Sequence, residues 1–160
     1  MTVEVRPART EDARGIAEVH VRAWQEAYLH LVPIEVLARL SVDQRELRWT
    51  QILDRGDLDV AVATHDGMVV GFATASANGD PGQPRDRELE SMYLLAAEHG
   101  SGLGQHMLDA VLGDATAFLW VADDNPRARA FYARNGFVPD GTTKEGPVAG
   151  TPVLQVRMVR

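Results

Sequence analysis

Residues 119–137 read LWVADDNPRARAFYARNGF, and this stretch decides the fold. Thr116 to Ala122 is a short apolar, β-prone run that reads as a strand. Asn125 then offers a side-chain acceptor to the free N–H groups of a helix start, and Pro126 suits the first helical position. Gly136 is a natural left-handed residue just past a helix end, so the helix is expected over Asn125 to Asn135. Seven positions separate Asn125 from Tyr132, which places both on one helix face about 10.5 Å apart along the axis. Ala128 shares that face, and its small side chain leaves room for a flat or extended ligand. Taken alone, the helix is better read as a well-capped structural element with a half-buried tyrosine.

Upstream lies a second strand-to-helix junction. Glu88 to Leu95 reads as a strand, and Gly102 to Leu112 as a helix that stops at Gly113. The segment EHGSGLGQ, residues 98–105, joins them. Such a junction presents unpaired N–H groups at the positive end of a helix dipole, and glycines let an anion approach the main chain. A pyrophosphate is a natural guest. A P-loop would need Gly-Lys-Ser/Thr, but Gln105 follows Gly104. A dinucleotide fingerprint would need glycine at 105 and a βαβ repeat, and neither is present.

Together these segments resemble the GNAT superfamily of N-acetyltransferases. The helix matches the family's N-x-x-A-x-x-F-Y-x-x-x-G-F pattern at Asn125, Ala128, Phe131, Tyr132, Gly136 and Phe137. The loop is similar to its acetyl-CoA loop, Gln/Arg-x-x-Gly-x-Gly/Ala, with His99 in place of the usual Gln or Arg. His99 still offers a backbone N–H but no permanent charge. The resemblance runs from about Glu88 to Phe137, with looser similarity elsewhere.

It implies one α/β domain over residues 1–160, with a mixed, mostly antiparallel twisted sheet of about seven strands. About four helices flank that sheet, which splays at the cofactor cleft. It also implies transfer of the acetyl group of acetyl-CoA to a primary amine of a small molecule, peptide or protein, by direct attack in a ternary complex. By the same resemblance Met92, Tyr93 and Leu94 hold the pantetheine arm and polarise its carbonyl, helped by a strand bulge that frees an N–H. His99, Gly100, Ser101, Gly102, Leu103 and Gly104 cradle the pyrophosphate, and Asn125 and Ala128 line the arm. Tyr132 is the candidate general acid, since a phenol of pKa about 10 can protonate a thiolate whose conjugate acid is near about 8.5. Glu90 is the candidate general base through water, with Glu88 on the same strand face raising its pKa by repulsion. Asp123 and Asp124 are alternatives.

Working outward, Thr2 to Arg6 alternates as a strand, and Thr10 before Glu11 and Asp12 reads as a helix start. Ile16, His20, Trp24 and Tyr28 recur every fourth residue as one helix stripe. In this superfamily the first helical region commonly covers the acceptor side, so His20, Trp24 and Tyr28 are candidate acceptor-binding residues. Trp24 is equally well explained as a core anchor. Pro33 opens a short helix, and Ser41 with Gln44 boxes another that runs through Trp49 to Leu53. Leu58 to Thr64 and Met68 to Ala75 read as a hairpin turning at Asp66-Gly67. Asn78 to Arg87, rich in Pro and Gly, is expected to be a mobile loop, and Phe137 to Pro139 and Val153 to Val159 close the sheet.

The 160 residues carry a net charge of −7, which argues against nucleic acid as a main partner; an acidic surface would attract a cationic substrate, but solubility alone explains it better. The absence of cysteine excludes disulfides, thiolate metal sites and a cysteine nucleophile. His20, His30, His65 and His106 lack metal-ligand spacing, so no metal is expected. No apolar run reaches the roughly 20 residues of a membrane span, and no secretory signal is seen. A cytoplasmic protein is expected, and the resemblance allows a homodimer. Two other classes stay open: a weakly catalytic acyl-CoA-binding sensor or interaction module, and a regulatory domain binding ATP or NAD at the glycine loop.

Overall fold

Asp66 and Gly67 take φ angles of 50° and 81°, the paired left-handed conformations of a tight hairpin turn. They join strand β2 (Asp59–His65) to β3 (Met68–Ala77). The computed structural model describes residues 1–77 and 80–160. Asn78 and Gly79, part of the expected loop, lie outside the described residues. Residues 81–86 form turns and bends, and Arg87 already opens the next strand.

Strand β1 (Val3–Pro7) precedes this hairpin, and β4 (Arg87–Leu94), β5 (Phe118–Ala122), β6 (Val138–Val148) and β7 (Thr151–Val159) follow. The seven strands run in the order β1-β2-β3-β4-β5-β7-β6. Among the described residues only the β4–β5 pair is parallel. Among the described residues five helices flank the sheet: α1 (Ala13–Tyr28), α2 (Ile34–Ala38), α3 (Val42–Arg55), α4 (Leu103–Leu112) and α5 (Pro126–Arg134). Ile16 and Ala17 of α1, with Trp49 of α3, pack on Val62 and Phe72 of one sheet face. Met107 and Leu108 of α4, with Tyr132 of α5, pack on Ala73, Leu89 and Leu119 of the other. Among the described residues no helix is long and apolar enough to cross a membrane.

Two of the differences from the sequence reading have a clear physical reason. Thr10 does not cap the first helix. Residues Thr10–Asp12 form a 3-10 turn, and the Asp12 carboxylate accepts from the Arg9 N–H at 2.7 Å and from Arg6 at 2.8 and 2.9 Å. The acid two residues on outcompetes the threonine because it gains a half-buried guanidinium as well. Strand β6 has eleven residues instead of three. Pro139, Gly141 and Pro147 hide it in the sequence, but it is an edge strand, where prolines are tolerated, and its register shifts between Pro139 and Thr143.

The sheet is interrupted at one level. β4 pairs with β5 only at Glu88↔Phe118 and Leu89↔Leu119. On its other side β4 jumps register against β3 between Leu89 and Ser91, which leaves Glu90 as the bulged residue. Beyond that point the β5-facing edge of β4 is open.

Candidate active site

A cleft of about 730 Å³ opens where β4 and β5 diverge. Met92, Tyr93 and Leu94 line it from the open part of β4, and Glu90 from the bulge. His99, Gly100, Gly102 and Gly104 line it from the glycine loop, and Asn125, Ala128 and Tyr132 from α5. Residues distant in sequence thus meet around one gap in the sheet.

The loop is shaped by its glycines. Gly100 and Gly102 have φ of 83° and 87°, conformations that L side chains rarely adopt. Gly102 is the residue from which α4 starts. Ser101 Oγ accepts from the Leu103 N–H at 3.3 Å, while the N–H groups of Gly104 and Gln105 have no partner among the described residues. These open donors at a helix start suit an anion. A Cβ on Gly104 would meet only Phe131, at 3.8 Å, so the space before that backbone is vacant of protein. Ser101 and Leu103 do not line the cleft. Leu103 is 2% exposed in the core beneath α4, and Ser101 acts by shaping the turn. The His99 Nε2–H donates to the Leu94 carbonyl at 3.1 Å and pins the loop to the end of β4. Sequence reading missed Arg127 and Arg134, which line the cleft from one face of α5, about two turns apart, and bring the cationic charge that His99 does not hold permanently. Their seven-residue spacing, equal to that of Asn125 and Tyr132, was the available signal.

Tyr132 is 8% exposed, its ring held edge-on between Phe131 and Phe137. Its hydroxyl has no protein hydrogen bond among the described residues. Burial, and to a lesser degree Tyr28, pushes its pKa far up, so the phenol keeps its proton throughout the neutral range. Asn125 Oδ1 accepts from the Ala128 N–H at 3.2 Å, so the residue caps α5 while also lining the cleft. Glu90 is exposed and its Oε1 accepts from Ser76 Oγ at 3.2 Å. The repulsion expected between the two glutamates is felt by Glu88: burial first, then Glu90, raises its pKa, and Lys144 partly offsets this.

The aromatic stripe of α1 divides. Tyr28, at the helix end, lines the cleft, with its hydroxyl 3.5 Å from that of Tyr93. His20 and Trp24 do not line it, because their turns of α1 lie over the sheet and against α3. His20 accepts from the Trp49 indole N–H at 3.2 Å and stacks on Tyr93 at 5.7 Å. Desolvation, then Arg45 and Arg48, pushes its pKa down to about 3. Trp24 lies under the Arg45 guanidinium, 4.5 Å from its ring centroid. The buried Trp24 N–H closes no hydrogen bond, although it is near enough to the Tyr93 hydroxyl to offset part of the rise in that phenol's pKa. Trp120 of β5 lines the cleft instead, a residue that the sequence presented only as part of an apolar run.

The family model described as "Acetyltransferase (GNAT) family" matches residues 15–137, which include the glycine loop and α5. The chain belongs to the GNAT acetyltransferase family. Membership places it among acetyl-CoA-dependent acyltransferases. It is 34% identical to the N-acetyltransferase YuaI of Bacillus subtilis, over 96% of this chain and 90% of that protein. Its fold is similar to that of a GCN5-related N-acetyltransferase of Rhodopseudomonas palustris, with TM-score 0.74, 22% identity and coverage of 100% and 96% of the two chains. It is also similar to YncA of Salmonella typhimurium, solved with acetyl-CoA, with TM-score 0.71, 20% identity and coverage of 100% and 94%.

Proposed function

We propose that this GNAT protein transfers the acetyl group of acetyl-CoA to a primary amine of a small molecule or peptide, in a ternary complex formed in the cleft. Tyr132 carries the reading: a phenol held rigidly by two aromatic neighbours, on the cleft wall, with its hydroxyl free of protein partners. The open N–H groups of Gly104 and Gln105, with Arg127 and Arg134 across the loop, suit the pyrophosphate and phosphate of the cosubstrate. Met92 to Leu94, on the unpaired edge of β4, offer main-chain groups to the pantetheine arm and to the thioester carbonyl.

The acceptor enters from the α1 side, past Tyr28 and Trp120. Glu90 removes the proton of the incoming ammonium through water, and the neutral nitrogen attacks the thioester carbonyl. The C–N bond forms and the C–S bond breaks. The thiolate takes a proton from Tyr132, which regains one from solvent. A chain without cysteine carrying out this reaction in the cytoplasm is consistent with its composition.

A panel of primary amines, assayed for CoA release, tests the proposal. Release that depends on an amine and saturates in both substrates supports it. Tight binding of acetyl-CoA with no release for any amine would point to the binding-module class.

A further inference from the structure

Lys144 is the one lysine of the chain, so its Nζ is the only side-chain primary amine. It projects from β6, which reaches β5 through β7. Its Nζ stands 4.2 Å from the centroid of Trp120, over the ring. Trp120 directly follows Leu119, the last β5 residue paired with β4, and it lines the cleft. Alternation along β5 sends Leu119 and Val121 into the core beneath α4 and α5. Trp120 and Ala122 therefore face the α1 side, where Ala122 packs with Trp24 and Tyr28. Lys144 thus holds an alkylammonium on the acceptor side of the gap in the sheet.

A carboxylate is within electrostatic reach. Glu88 pairs across the parallel ladder with Phe118, two residues before Trp120, and the Lys144 charge lowers its pKa against the effects of burial and Glu90. Lys144 itself makes no ion pair within 4.0 Å among the described residues and is exposed, so its side chain is free to swing. The cation–π contact orders the amine near the cleft without locking it in a salt bridge.

We propose that Lys144 is a site of self-acetylation, its ε-amine accepting one acetyl group from acetyl-CoA bound in the cleft of the same chain. The inference rests on the acetyl transfer proposed above. The ammonium first gives a proton to the Glu88 carboxylate. The neutral nitrogen then attacks the thioester carbonyl, the C–N bond forming as the C–S bond breaks. The second nitrogen proton passes to water, and the CoA thiolate takes one from Tyr132. The product is an uncharged amide over Trp120, which leaves Glu88 without its neighbouring cation.

The test is incubation of the intact chain with acetyl-CoA and no added amine, followed by digestion and mass spectrometry, with amine acetylation measured in parallel. The expected result is at most one acetyl group per chain, located on Lys144. Its first-order rate should saturate with acetyl-CoA and not depend on protein concentration. Lys144→Arg keeps a cation over Trp120 and should take up no acetyl group at that position. A free Lys144 in a chain that acetylates added amines overturns this inference alone. So does labelling that rises without saturation or proceeds equally in heat-denatured protein, which marks direct chemical acetylation. A rate that climbs with protein concentration overturns the same-chain step. Failure with both Lys144 and every added amine overturns the functional reading as well.

Discussion

The Trp49 indole N–H donates to Nδ1 of His20 at 3.2 Å, so that nitrogen carries a lone pair and the ring is neutral. Burial and the two arginines hold its pKa down at about 3, against 6.5 for a free imidazole. The unfolded chain therefore binds more protons than the folded one between those values. Stability is full above pH 6.5 and is lost as pH falls toward 3, by up to roughly 4 kcal/mol. His65 works with the opposite sign: its hydrogen bond to Glu98 at 2.8 Å raises its pKa, so its contribution is present in acid and lost as pH rises. Urea melts between pH 7 and pH 4 should show a steeper loss in the natural chain than in His20→Gln. Equal slopes would mean that His20 is not a buried neutral acceptor.

Gly104 gives the cleaner test of the cofactor loop. Gly102 has φ of 87°, so a side chain there strains the backbone whatever it does to binding, whereas Gly104 has room for a Cβ. Gly104→Val should fold, with an unchanged far-UV spectrum, and should lose the stabilisation that acetyl-CoA gives. For the natural chain that stabilisation is about 2.7 kcal/mol at ligand 100-fold above Kd. A retained thermal shift in Gly104→Val would move the pyrophosphate away from this backbone.

Tyr132→Phe keeps the ring between Phe131 and Phe137, so packing and CoA affinity should hold. Turnover should fall roughly 10²-fold, the mark of a group used only in the transition state. Because its pKa is pushed far up, Tyr132 should impose no decline in turnover through the mildly alkaline range. Unchanged turnover in the variant returns Tyr132 to a purely structural role.

Much of the site was legible because local chemistry wrote it. Asn125 with Pro126 announced a helix start, and the αL glycines at 100 and 102 announced a shaped loop. What the sequence hid was set by long-range pairing. The place of the expected bulge, at Glu90, depends on how β4 registers against β3, and the prominence of Trp120 depends on where β5 loses its partner. β6 was hidden for a related reason, since edge position excuses prolines that would rule out a central strand. The four-residue spacing of His20, Trp24 and Tyr28 identified a stripe correctly, but not that its last member alone overhangs the gap.

That division of the stripe gives a test of acceptor recognition. Tyr28→Phe removes a hydroxyl that lies 3.5 Å from Tyr93 and keeps the packing area. It should raise the acceptor KM or reorder preference among amines, with CoA affinity unchanged. Unaltered kinetics toward every amine would assign Tyr28 to the core with His20 and Trp24.

The base is tested by a pair of variants. Glu90 lines the cleft from the bulge, whereas Glu88, one pleat earlier, lies off it and is the carboxyl whose pKa burial raises. Both replacements by Gln keep size and hydrogen-bonding capacity, and each removes one negative charge from the pair. If Glu90 relays the amine proton through water, Glu90→Gln should flatten the acid limb of kcat/KM for the amine and lower its plateau. Glu88→Gln should retain the limb, because the cleft carboxylate is still present. The reverse outcome would make Glu88 the base, its raised pKa bringing it nearer to that of the amine and so to efficient proton transfer. A limb that persists in both variants reports only the ionisation of the free amine, and the chemistry then needs no protein base beyond the solvent.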